Sequence, residues 1–229
     1  LSAVLAIGIA VPFAIDNVQA SAGTADADSA RLPQSELLLK ESSVGGSLYG
    51  KPDWHTGRYR SMLLKLNGKE KTVAWQPLID RVSSFGADLD GDGSKEWILE
   101  LTMDAGTGYA KGEARILRSD LSEIPIENPK KAAAAALRSS MSRSDGKVTY
   151  TVNVSGKKRI LTYDEKDANW WFEGATAGNI VHYAMEHGRL TARLSTQVSP
   201  GLLIGTTKVY YEYRDGRLKT SEVAFTTNF

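Results

Sequence analysis

Residues 208–225 read KVYYEYRDGRLKTSEVAF, two runs rich in β-branched and aromatic side chains held apart by Asp215-Gly216. A two-residue Asp-Gly linker tolerates positive φ at both positions, so it closes a tight turn between antiparallel strands. The same pattern recurs outward along the chain. Residues 180–186 and 190–198 flank His187-Gly188, residues 148–154 and 159–163 flank Ser155-Gly156, and residues 59–66 and 72–75 flank Asn67-Gly68. Four hairpins predict a mainly β fold of antiparallel strands. Residues 129–141 (PKKAAAAALRSSM) break the pattern, because five consecutive alanines follow a proline at a first helical position and Asn128 stands where an N-cap belongs. This predicts one Ala-rich helix, with α+β as the class if further helices exist.

Composition bounds the rest. The 229 residues include 41% hydrophobic side chains, enough to bury one substantial core or two small ones without a covalent staple. Twenty-eight Lys and Arg balance 27 Asp and Glu, so no bulk field draws the chain to nucleic acid. The lack of cysteine excludes disulfides, thiolate metal sites and thiol catalysis.

The chain opens on an uncharged apolar run, LSAVLAIGIAVPFAI, followed by Val18-Gln19-Ala20 with small residues where signal peptidase cuts. Residues 1–20 therefore read as a signal peptide, and the protein as extracytoplasmic, secreted or membrane-anchored. The run starts at Leu1 with no basic stretch before it, so further upstream residues are expected; a few would lengthen it into a membrane anchor. Residues 21–35 are Ala-, Ser- and Asp-rich and read as a flexible linker, which leaves 36–229 as a single β-rich domain.

Residues 88–96 (DLDGDGSKE) carry the chemistry. Carboxylates fall at relative positions 1, 3, 5 and 9 and a glycine at position 6. A hard cation such as calcium takes six to eight oxygens, and a tight loop aims alternate side chains inward while the position-7 carbonyl adds another. Asp88, Asp90, Asp92 and Glu96, with the Ser94 carbonyl, are the expected ligands. Position 12, where a helix-loop-helix site needs an acid, is Leu99 within the apolar run Trp97-Ile98-Leu99. The flanking 82–87 and 97–99 are strand-like, so the loop is expected to join two strands. The alternative for the same residues is an acidic turn without an ion, since Asp-Gly pairs turn chains unaided.

The spacing Asp88, Asp90, Asp92, Gly93 and Glu96 resembles the calcium loop of FG-GAP and VCBS (integrin-like) proteins, over roughly residues 82–118. The resemblance implies a structural calcium ion in a strand-to-strand turn. Those families repeat the unit around a propeller, and this chain carries one copy. More loosely, residues 59–229 resemble uncharacterised secreted or membrane-anchored proteins of Gram-positive bacteria, on the acidic loop, Gly106-Thr107-Gly108 and the Tyr-rich hairpin at 208–225. That resemblance implies location and calcium, with no activity attached.

Other motifs carry less. Residues 104–109 (DAGTGY) lack the Gly-Lys-Ser/Thr end of a phosphate loop and read as a turn near the acidic loop. His55, His182 and His187 have no zinc spacing, and no Gly-x-Ser-x-Gly elbow appears. Trp170 and Trp171, in a polar setting, are candidate stacking residues for a sugar face. The function expected is a non-catalytic calcium-binding module of the cell envelope or secreted fraction, contacting an envelope protein or wall polymer. A sensor domain of a membrane-anchored regulator, a cell-wall enzyme and a glycan-binding protein are the alternatives.

Overall fold

A computed structural model describes residues 35–227, so the signal-peptide reading of 1–20 and all but the last residue of the linker reading of 21–35 lie outside the described residues. The described residues form one compact unit. Among the described residues the fold is mainly β, with antiparallel sheets and a single α-helix.

Four strands, β1 (Glu36–Glu41), β2 (Gly46–Asp53), β3 (Arg58–Leu66) and β4 (Lys69–Val73), make an antiparallel meander in chain order. A hairpin-connected sheet of three follows from β8 (Leu137–Ser144), β9 (Lys147–Val154) and β10 (Lys157–Asp164). The largest sheet joins β5 (Val82–Ala87), β6 (Glu96–Gly106) and β7 (Tyr109–Leu117) to β11 (Thr176–Glu186), β12 (Arg189–Ser199), β13 (Leu202–Arg214) and β14 (Arg217–Thr227), in the order 14-13-12-11-7-6-5. Each expected hairpin is formed, and the paired turn residues take positive φ, as at Asn67 (49°) and Gly68 (75°) or Asp215 (51°) and Gly216 (76°).

The helix is shorter than its sequence predicts. α1 spans Pro129–Ala136, with the Asn128 side chain accepting the Lys130 and Lys131 N–H groups as an N-cap. Leu137 then turns extended, and the remainder of the predicted helix is strand β8, paired residue for residue with β9 from Leu137↔Val154 to Ser144↔Lys147. Serines are poor helix residues, and the ladder also places Leu137 and Met141 on the same inward face. Tertiary pairing overrides the local preference.

Two cores sit on opposite faces of β6. Trp97, Leu99 and Leu101 pack with Leu48, Met62 and Leu64 of the meander, whereas Ile98 packs with Ile116, Tyr150, Val152 and Val181 in a larger core that also takes Ala133 of α1. Trp97, Ile98, Leu99 and Leu101 are all fully buried, so the contiguous apolar run belongs to a strand covered on both faces. This fixes the start of β6, and with it the loop before it. The β7–β11 junction is a single parallel bridge, Ala110 to Ile180. Gly112 allows it, because a side chain there would collide with the Val181 carbonyl.

Candidate metal centre

The acidic loop hangs between the last pair of the β5–β6 ladder, Ala87 and Glu96, so it joins two strands. Its shape comes from aspartates bonding their own backbone. Asp88 accepts the Gly91 N–H through Oδ1 (2.8 Å) and the Gly93 N–H through Oδ2 (3.1 Å). Asp90 Oδ1 accepts the Asp92 N–H (3.3 Å), and Asp92 Oδ1 accepts the Ser94 N–H (2.7 Å). These are Asx-type turns, which hold a short loop without a ladder. Gly91 and Gly93 lie at φ 79° and 88°, where a side chain would strain the backbone although nothing would obstruct it.

Glu96 faces inward, 2% exposed, and its Oε2 accepts the Leu89 N–H at 2.7 Å while the Leu89 side chain packs on the larger core. Burial, followed by the charges of Asp90 and Asp92, pushes the Glu96 carboxyl above its ordinary range. One carboxylate oxygen each from Asp88, Asp90 and Glu96 lies within 4.8 Å of the others. Two oxygens at calcium's bond length of roughly 2.3–2.6 Å from one centre can be at most about 5 Å apart, so the three fit a common ion. Asp92 stands outside this group, exposed and turned to the Ser94 N–H; Ser94 is exposed as well.

Arg118, which the sequence does not single out, closes the site on one side. Its Nε lies 3.8 Å from Asp90 Oδ2, and its Nη2 donates to the Tyr213 hydroxyl at 2.8 Å. It reaches the loop because β7 runs antiparallel to β6, so that Leu117 pairs with Trp97 and Arg118 follows beside the loop's end. Only strand pairing brings these positions together.

The other candidates separate. Trp170 is 67% exposed and packs edge-on against Phe172, with ring centroids 6.0 Å apart. Trp171 is 5% exposed, donates from Nε1 to the Glu165 carbonyl and lies against the Tyr150 and Tyr163 rings. The expected pair of stacking tryptophans is therefore divided: Trp170 is open to a ligand, whereas Trp171 belongs to the larger core. Gly106-Thr107-Gly108 is the β6–β7 turn, at the far end of an 11-residue strand from the acidic loop, about 30 Å away rather than near it. His187 occupies a hairpin turn, and His182 is exposed with Nδ1 at 3.0 Å from Glu100 Oε1. Among the described residues, the acidic loop holds the one group of three acidic or histidine side chains close enough to share an ion.

No protein-family model, curated protein or solved structure matches this chain.

Proposed function

We propose that this chain is a non-catalytic, extracytoplasmic binding module whose β5–β6 turn is fixed by one calcium ion. The observation that carries the reading is Glu96. A carboxylate 2% exposed, with no cation of its own among the described residues and two aspartate oxygens within 4.8 Å, is a costly arrangement that a divalent ion turns favourable. Asp88, Asp90 and Glu96 would hold the ion, with Asp92 and the Ser94 carbonyl as the further donors of the spacing. All are hard oxygen donors without nitrogen or sulfur, which suits calcium over zinc or copper. The ion's chemistry here is structural: it would neutralise the loop and tie the end of β5 and the start of β6 to the larger core through Leu89. The likeness to integrin-like loops supports the same reading, and the apolar residues 1–15 with the small residues of 18–20 support an extracytoplasmic setting, where millimolar calcium is at hand. The partner in this reading is an envelope protein or a wall polymer.

The test is calorimetry of the full chain titrated with calcium, alongside Asp90→Ala. The reading expects one saturable site per chain, lost in the variant. Absence of heat, or the same heat in Asp90→Ala, would remove calcium from the account.

A further inference from the structure

The large apolar side chains left exposed among the described residues are Leu37, Trp54, Tyr109, Ile160, Trp170 and Leu203. All but Ile160 gather at one end of the fold, the end away from the acidic loop. Trp54, 71% exposed, stands in the turn between β2 and β3. Arg58, at the foot of that turn, reaches Asp104 (3.7 Å) and donates to the Met103 carbonyl, which ties the turn to the far end of β6. Tyr109 leaves the β6–β7 turn, and Gly108 of that turn lies beside the Pro200 carbonyl between β12 and β13. Leu203 follows just after Pro200. The Phe172 N–H donates to the Val198 carbonyl (2.9 Å), so Trp170, packed edge-on against Phe172, projects at the same place. Leu37 belongs to this end as well, because β1 starts there: Glu36 pairs with Gly50, three residues before Asp53.

These side chains stand singly on separate turns, loops and strand starts, with no contiguous apolar floor between them. A packed protein interface has a continuous desolvated core, whereas the headgroup region of a bilayer takes in separate projecting rings whose N–H and O–H groups stay in water. Arg58 and Arg60, which follow Trp54, are already paired with Asp104 and Asp53, so the rings rather than net charge would carry the contact.

The point of chain entry favours the same partner. Residues before Glu36 join the fold at the end that bears Leu37 and Trp54, and the apolar run of residues 1–15 precedes it in the chain. Residues 16–35 can span at most about 70 Å, so a membrane anchor in that run keeps this end of the domain near the bilayer. Tethering makes docking an intramolecular step, for which a few weak contacts suffice.

We infer that this end of the domain docks on the surface of a lipid bilayer, with Trp54, Tyr109, Trp170 and Leu203 set into the headgroup region. The inference rests on the reading of residues 1–20 as a membrane anchor.

The test mixes the full chain, in chelator, with phosphatidylcholine vesicles whose acyl chains are plain or brominated, bromine being a quencher of tryptophan emission. Sedimentation with the vesicles reads the anchor. Quenching reads the docking, because residues 1–34 contain no tryptophan, Trp97 and Trp171 are buried, and Trp75 lies beneath Arg115. Brominated vesicles are expected to quench the parent, and that quenching is expected to be lost in the double variant Trp54→Phe/Trp170→Phe, which keeps a ring at both exposed positions. Sedimentation without quenching would leave the anchor standing, overturn the docking and turn the exposed rings over to a protein partner. Equal quenching of parent and double variant would also overturn it. A chain that stays in the supernatant would overturn the anchor reading and the docking together.

Discussion

Replacing Glu96 by glutamine should reverse its effect on stability according to whether calcium is present. Glutamine keeps the shape and an oxygen for the Leu89 N–H but removes a charge that is 2% exposed and within 4.8 Å of the Asp88 and Asp90 oxygens. Two like charges at that distance repel by roughly 3 kcal/mol at an effective dielectric constant near 20. Solvent over Asp88 and the Arg118 guanidinium beside Asp90 reduce this, leaving about 1–2 kcal/mol to be relieved. In chelator, Glu96→Gln is therefore expected to melt about 2–8 °C above the parent. In calcium at about 100 times its dissociation constant, the parent gains ~2.7 kcal/mol that the variant largely forgoes, so the parent melts higher. The assay is a pair of thermal melts for each protein. A variant less stable than the parent in chelator, or more stable in both conditions, would refute the account of Glu96 as a charge waiting for an ion.

Asn128→Ala removes the acceptor for the Lys130 and Lys131 N–H groups and is expected to cost about 1 kcal/mol in urea unfolding. Trp171→Ala should cost about 3–5 kcal/mol, since it empties a core site against Tyr150 and Tyr163, while Trp170→Ala stays within about 0.5 kcal/mol; the same unfolding series reads both. Glu186 is pushed up by burial, but Lys208 and Arg193 more than offset this and hold its carboxyl below the ordinary 4.5. A lowered folded-state value means stability present above pH 4.5 and lost as pH falls through the folded value. Urea midpoints measured below pH 4.5 should therefore fall more steeply for the parent than for Glu186→Gln.

The hairpins were legible because a two-residue turn is local: Asn67-Gly68 and Asp215-Gly216 carry their φ preference wherever they stand. The helix start was legible for the same reason, as Asn128 and Pro129 act within one turn. Its end was not, because Leu137–Ser144 becomes strand only through β9, a partner the local pattern does not announce. The acidic loop shows the same division. Asp88, Asp90 and Glu96 could be read from their spacing, but the burial of Glu96 depends on a β6 covered on both faces, and Arg118 arrives through the β6–β7 ladder. Trp170 and Trp171 look alike in sequence, and only the position of the larger core tells which is exposed.

The most direct measurement is the melting temperature of the full chain in calcium and in chelator. Saturation at about 100 times the dissociation constant adds ~2.7 kcal/mol, which for a domain of this size raises the transition by about 5–11 °C. The account predicts that rise, reversible on chelation and unmatched by magnesium at the same concentration. Identical transitions in calcium and chelator would leave residues 88–96 an acidic turn held by its own Asx bonds, and would contradict the claim that calcium fixes the fold at β5–β6.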